Sequence, residues 1–117
     1  MSTKDTVQKY FESLAKKQGW EAVFSDEMVF TSFVSPVKRV SGKAAFLEST
    51  KRFYSMITAC EVRDLIVDGN KAVALTRYQL QSPAGAGFAS DVAEVFDVRD
   101  GKIASLDIFF DSSPFPK

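Results

Sequence analysis

The strongest constraint on this fold is a change in the spacing of apolar residues between Ile57 and Glu61. Before that point apolar side chains recur every three or four residues, as they do on one face of a helix. One such stripe consists of Val7, Tyr10, Phe11 and Leu14. Beyond Glu61 apolar side chains occur at every second residue, which is the period of a β-strand. Helices followed by consecutive alternating strands predict an α+β fold.

Turn and capping residues divide the 117-residue chain into elements. We expect a first helix between the cap at Ser2 and Gly19, a short second helix over 20–24, and a third that begins after Ser41. The predicted strands are 28–34, 61–67, 71–81, 88–99 and 102–110. This order predicts a single domain over residues 1–117, with an irregular tail over 111–117.

Missing residue types exclude several classes of chemistry. The chain has no histidine, which excludes Ser-His-Asp and Cys-His nucleophiles and histidine metal ligands. Its one cysteine, Cys60, cannot form an intrachain disulfide or a thiolate metal cluster. An all-oxygen metal site is unfavourable inside an apolar interior. We therefore expect no metal and no cofactor, and any chemistry must use carboxyl, hydroxyl, Lys or Arg groups.

Charge and hydropathy limit the partners. Fifteen Lys and Arg residues balance fifteen Asp and Glu residues, which does not suit a nucleic-acid-binding surface. No run of eighteen apolar residues exists, so we expect no membrane span. The first residues lack the apolar segment of a signal peptide, which predicts a cytoplasmic protein.

Alternation places one acidic residue on the apolar face of the predicted sheet. Glu94 shares its face with Val92 and Phe96, and Tyr78 points the same way from the middle strand. A carboxyl group in such surroundings is costly to ionise, so its pKa should rise. Two interpretations remain open for Glu94. It is either a group that binds or reacts with a ligand, or a structural residue that is hydrogen-bonded or reaches water.

Tyr10 is the second candidate, because the helical stripe turns it inward, where a buried hydroxyl needs a partner. Inward-facing, mostly aromatic residues around these two groups are expected to line a pocket for a small molecule. The predicted lining is Trp20, Phe33, Phe53, Tyr54, Thr76, Tyr78, Phe96, Ile108 and Phe110.

Three segments carry a resemblance to a known family. Gly19–Glu27, Ser41–Lys43 and Phe96–Ile103 resemble the SnoaL-like branch of the nuclear transport factor 2-like superfamily, which includes ketosteroid isomerases and polyketide cyclases. The resemblance covers nearly the whole chain. It implies a cystatin-like cone, in which three N-terminal helices pack on a strongly curved, mostly antiparallel sheet with a pocket in its mouth. It also implies a dimer formed through the outer face of the sheet.

The resemblance extends to two catalytic positions of the ketosteroid isomerases. Thr6–Tyr10 is similar to their first-helix segment, whose Tyr donates to the substrate oxyanion. Glu94 falls where they hold a protonated Asp that donates beside it. Their general base, however, corresponds to Ser32 or Phe33, and neither side chain is a base. Steroid isomerisation is therefore not expected.

Three functions follow from these residues. The first is a protein that binds a small apolar or carbonyl-containing molecule. The alternative is an isomerase-, cyclase- or dehydratase-type enzyme that uses Glu94 and Tyr10, and the second alternative is a non-catalytic dimeric association module. A homodimer is expected because the outer sheet face mixes apolar and charged side chains. That face comprises Arg77, Gln79, Val95, Asp97, Asp107 and Phe109.

Overall fold

A computed structural model describes residues 2–34 and 36–115 of the chain. Within these residues the α-helices are α1 (Thr3–Ala15) and α2 (Lys43–Met56). The strands are β1 (Phe24–Ser32), β2 (Lys38–Ser41), β3 (Ile57–Asp68), β4 (Lys71–Gln81), β5 (Gly87–Arg99) and β6 (Lys102–Phe110). The fold is α+β, as the change of period predicts. In the described part of the chain no helix is long and apolar enough to cross a membrane.

All the strands belong to one sheet, in the order β2-β1-β6-β5-β4-β3. Every neighbouring pair is antiparallel except β1 and β6, which run parallel. The register shifts twice along β3 and once near Asp97, and such irregularities bend a sheet. The sheet is therefore curved and mostly antiparallel, and both helices pack against its concave face.

Helix α1 begins at a side-chain cap and buries the predicted stripe. Ser2 Oγ accepts a hydrogen bond from the Asp5 backbone N–H at 3.0 Å, which satisfies one of the free donors of the first turn. The buried face of the helix consists of Thr6, Val7, Tyr10, Phe11 and Leu14. The chain turns at Gly19, whose φ of 81° lies in the left-handed region that glycine adopts without strain.

The expectation of three N-terminal helices is wrong. Trp20–Val23 forms one turn of 3-10 helix, because Gly19 is left-handed and Phe24 is already extended at φ −88° and ψ 142°. Four residues between these two conformations are too few for a run of i→i+4 hydrogen bonds. The predicted third helix is α2, which begins after Ser41 as expected and follows two strands, β1 and β2.

Several strand boundaries also differ from the sequence prediction, and one strand was not predicted. β1 begins at Phe24, four residues early, and an irregularity between Phe24 and Val29 breaks its alternation. β3 begins at Ile57, directly after α2. β2 was not predicted, because it has four residues and a single half-buried position, Val40, which is too little for a periodic signal.

Inside and outside alternate on β4 and β5 as the sequence predicts. The inward set on β4 is Ala72, Ala74, Thr76, Tyr78 and Leu80, and the inward set on β5 is Ser90, Val92, Glu94, Phe96 and Val98. All these side chains are buried, and Glu94 is the charged residue among them. The sheet thus carries one carboxyl group into an otherwise apolar and hydroxyl-bearing interior.

Candidate functional site

A cavity of about 230 Å³ lies on the concave side of the sheet, beneath α2. Its wall is mainly aliphatic and aromatic. The described residues that line it are Phe30, Ser32, Lys38, Ser49, Thr50, Phe53, Tyr54, Val92, Glu94, Leu106, Ile108, Phe110 and Phe115. Glu94 is the carboxyl group in this lining, and it is 3% exposed. The cavity is therefore an apolar space with one acidic group in its wall.

Two hydroxyl groups of β4 hold the Glu94 carboxyl. Tyr78 donates to Oε1 at 2.7 Å, and Thr76 Oγ1 donates to Oε2 at 3.0 Å. Thr76 and Tyr78 stand two residues apart on β4, so their side chains lie on the same face of the sheet, which is the buried one. Ala74 is the residue paired directly with Glu94, and its small side chain leaves space for the carboxyl beside β4. The carboxyl is thus held by two donors while it faces the cavity.

Burial raises the pKa of Glu94 to about 7, from a usual value of 4.5. The hydrogen bonds from Tyr78 and Thr76 lower the pKa, because they favour the ionised form, but the cost of desolvation is larger. Near neutral pH both the acid and the carboxylate are populated. Glu94 can therefore donate a hydrogen bond to a carbonyl in one form and accept one from a hydroxyl in the other.

Tyr10 lies behind the cavity wall and does not hydrogen-bond to Glu94. Its hydroxyl is 2.6 Å from the hydroxyl of Tyr54, and Tyr54 is the one of the two that lines the cavity. Burial is the largest cause that raises the pKa of both phenols. Burial also raises the pKa of Cys60 to about 12, so these three groups stay neutral in the pH range where Glu94 titrates.

Of the predicted site residues, five line the cavity, five lie behind its wall, and Phe33 lies on the outer face. Those that line the cavity are Phe53, Tyr54, Glu94, Ile108 and Phe110. Those that lie behind its wall are Tyr10, Trp20, Thr76, Tyr78 and Phe96. Among the second group, Trp20 stacks on Tyr54 with ring centroids 4.0 Å apart, and Phe96 packs against Tyr10 at 5.8 Å.

The structure does not place Phe33 at the cavity. Its ring is 45% exposed and stacks on Phe109, with centroids 4.7 Å apart. Ser32 precedes Phe33 and lines the cavity, so alternation turns Phe33 to the opposite, outer face. Of the two positions counted for the isomerase general base, Ser32 thus faces the cavity with a hydroxyl and Phe33 faces outward, and neither side chain is a base.

Eight of the described lining residues are not part of the predicted pocket: Phe30, Ser32, Lys38, Ser49, Thr50, Val92, Leu106 and Phe115. Alternation nevertheless places Val92 on the inner face with Glu94. Ser49 and Thr50 lie on α2. Lys38 lies on β2, and alternation could not be applied to a strand that was not predicted. Phe115 lies beyond β6 in the tail, where no periodic signal exists. Its ring packs near Phe53, Phe88 and Phe110, at centroid distances of 6.4, 5.1 and 5.3 Å.

This architecture, a curved mixed sheet around two helices with a cavity on its concave side, is that of nuclear transport factor 2-like proteins. More narrowly, residues 7–106 match the family model of the SnoaL-like domain, and the chain belongs to that family. A comparison with curated proteins finds no match in sequence.

Solved structures share the fold at low sequence identity. A nuclear transport factor 2-like protein of unknown function from Burkholderia pseudomallei is 17% identical, with a TM-score of 0.81 over 97% of this chain and 94% of that one. TerC, co-crystallized with polyporic acid, is 15% identical, with a TM-score of 0.78 over 97% and 94%. A ketosteroid isomerase-like protein from Catenulispora acidiphila, in complex with trimethylamine, is 14% identical, with a TM-score of 0.75 over 93% and 87%.

The raised pKa of Glu94 predicts a stability that falls as pH rises. Below pH 4.5 the carboxyl is protonated in both states, whereas between 4.5 and about 7 it ionises only in the unfolded chain. This costs the fold on the order of 3 kcal/mol across that window, and the stability is lost by the time pH passes 7. Glu94→Gln should remove this part of the pH dependence, as measured by urea unfolding from pH 4 to 8.

The control is Glu48→Gln, which removes an exposed carboxylate from α2. It should keep the wild-type pH profile when both variants are unfolded at the same protein concentration. A Glu94→Gln profile parallel to that of wild type would show that Glu94 does not titrate in this window.

The donors to Glu94 can be distinguished by titration. Tyr78→Phe removes a hydrogen bond that favours the ionised form, so it should raise the pKa of Glu94 by about 1 pH unit. Tyr10→Phe leaves both bonds to Glu94 intact and should change this pKa less. Carbon-detected NMR of the glutamate side chains measures both values. A larger effect of Tyr10→Phe would contradict this hydrogen-bond arrangement.

Proposed function

We propose that the protein binds a small, largely apolar molecule in the cavity, and that Glu94 hydrogen-bonds to a carbonyl or hydroxyl group of that molecule. The observation that carries the proposal is a buried carboxyl group in the wall of an apolar cavity. An apolar cavity of about 150 Å³ accepts benzene. The larger cavity of this protein gives room for a single substituted ring.

The surroundings of Glu94 suit a ligand-binding group. Thr76 and Tyr78 hold the carboxyl in one place, so little side-chain freedom is lost when a ligand binds. A group with a pKa of about 7 can offer either a donor or an acceptor at neutral pH. The crystallised TerC and the C. acidiphila protein each hold a small organic molecule, which supports the proposal at the level of the fold.

The second candidate is an acid–base enzyme, favoured by the same pKa. An ionised Glu94 could take a proton from the carbon beside a ligand carbonyl and return it, which is a complete proton transfer with one carboxyl group. Tyr54 would donate to the carbonyl oxygen as the enolate forms, with Tyr10 acting through Tyr54 and not on the ligand. Neither Ser32 nor Phe33, the two positions counted for the isomerase base, supplies a second carboxylate.

Acetophenone and ethylbenzene are a matched pair of probes, since they differ in a carbonyl oxygen. Acetophenone should bind two- to tenfold more weakly at pH 8.5 than at pH 5.5, roughly the value of one hydrogen bond, because ionised Glu94 has no proton to donate. Ethylbenzene should change less. Glu94→Gln should flatten the acetophenone profile, since its amide donates at every pH. NMR titration measures the affinities.

Asp91→Asn is the control, since Asp91 lies on the same strand but on the outer face, paired with Arg77. The failure of both probes to bind would overturn the proposed function. The same samples prepared in D₂O distinguish a binding protein from an acid–base enzyme, through the NMR signal of the acetophenone methyl group. A binding protein leaves the acetophenone methyl protons in place, whereas an enzyme that uses Glu94 as base exchanges them for deuterium.

We also propose that a second copy of the chain covers the outer face of the sheet. Phe33 and Phe109 stack there with 45% and 46% of their surface exposed, and Leu75 is exposed beside them. The Arg77–Asp91 pair on the same face joins opposite charges through two bonds of 2.8 Å. A face with both signs of charge can meet its own copy without net repulsion.

Sedimentation velocity at micromolar concentration tests the dimer. The wild-type chain should sediment at twice its mass of 13.0 kDa, and Phe109→Glu should shift it to the monomer. Val67→Glu is the control, because Val67 is similarly exposed but pairs with buried Ala72 on the inner face. A wild-type monomer would contradict this proposal.

A further inference from the structure

Lys38 and Glu94 are the two ends of a row of residues that crosses four strands. Glu94 on β5 is paired with Ile108 on β6, and Ile108 is paired with Ser32 on β1. Ser32 in turn is paired with Lys38 on β2. Directly paired residues point to the same face of a sheet. All four line the cavity, so the row joins a carboxyl in its wall to an ammonium group at the edge of the sheet.

The length of this row limits the size of a molecule that could touch both ends. Three inter-strand steps of about 4.8 Å separate the backbones of Glu94 and Lys38, or roughly 14 Å in a flat sheet. The two side chains occupy part of this distance, and the curvature of the sheet shortens it further. The remaining gap suits one ring with a polar group at each end.

The charge of Lys38 is not compensated by neighbours in residues 2–34 and 36–115. None of the ion pairs found in this part of the chain includes Lys38. It is also the cation among the described lining residues. Lys38 is exposed at the edge of the sheet, and Ser32 and Ile108 continue the cavity wall inward from it. An ammonium group in this place favours a ligand that carries an anionic oxygen at its outer end.

We propose that Lys38 is a specificity residue, which selects ligands with a carboxylate or similar anionic oxygen at the end opposite to the group that meets Glu94. The inference rests on the proposed function and narrows its ligand class to compact aromatic keto or hydroxy acids. The neutral acid at one end and the cation at the other would fix which way round such a molecule binds.

The probes that test this are 4-acetylbenzoate and 4-acetylbenzamide, which have nearly the same shape but differ in charge. At pH 6 the benzoate is ionised, and Glu94 is largely protonated, since its pKa is about 7. Wild-type protein should bind the benzoate roughly three- to tenfold more tightly than the amide, and added salt should reduce the difference. Calorimetric titration measures the dissociation constants.

Three variants locate the effect. Lys38→Met should bring the benzoate to the affinity of the amide, whereas Lys38→Arg should retain most of the preference. Lys51→Met removes an exposed lysine of α2 that faces a separate surface depression, and it should change neither affinity.

Two results would overturn the inference in distinguishable ways. If both acetyl compounds bind equally to wild type, or if Lys38→Met weakens them equally, Lys38 does not select for charge although the proposed function stands. If neither of them nor acetophenone binds, the proposed function fails and the inference fails with it.

Discussion

Burial of the Glu94 carboxyl depends on the register between β4 and β5. Thr76 and Tyr78 reach its two oxygens only because all three side chains lie on the concave face, with Ala74 directly across from Glu94. A slip of one residue would turn Glu94 to the outer face and carry Tyr78 away from it. Burying a carboxyl group in an apolar interior costs free energy unless the group is hydrogen-bonded. Because this register of β4 and β5 supplies both donors, it is more stable than a register shifted by one residue. The carboxyl therefore stabilises a particular alignment while it reduces stability at neutral pH.

Aromatic rings fix the remaining walls of the cavity. Tyr54 is held from two sides, by the stacked ring of Trp20 and by the hydroxyl of Tyr10. A residue restrained by both a stack and a hydrogen bond has little freedom to rotate into the empty space. Tyr54 therefore stays in the cavity wall. The shape of this wall is thus a property of the packing of α1, α2 and the 3-10 turn together.

The sequence predicts those parts of the fold and site that have a periodic pattern. It does not predict a side chain's partner or face where that depends on a single residue or on a short element. Alternation places Glu94 inward beside Tyr78 without reference to any structure, and helical spacing does the same for Tyr10. It does not show that Tyr10 reaches Tyr54 instead of Glu94, since that depends on how deeply α1 sits. Phe33 is misplaced by one position, which is enough to change its face. Alternation cannot place Lys38 at the cavity, because a four-residue strand has no measurable period.

The tail contributes one ring, Phe115, to the lining of the cavity. Phe115 lies five residues beyond β6 and packs near the rings of Phe53, Phe88 and Phe110. Its contacts are between rings, so they can break and re-form without an unpaired polar group being left behind. Under the proposed function, a ligand that passes Phe115 would have to displace these ring contacts. Substitutions at Phe115 would then change the rates of binding and release, whereas substitutions at Glu94 and Lys38 would change which molecules bind.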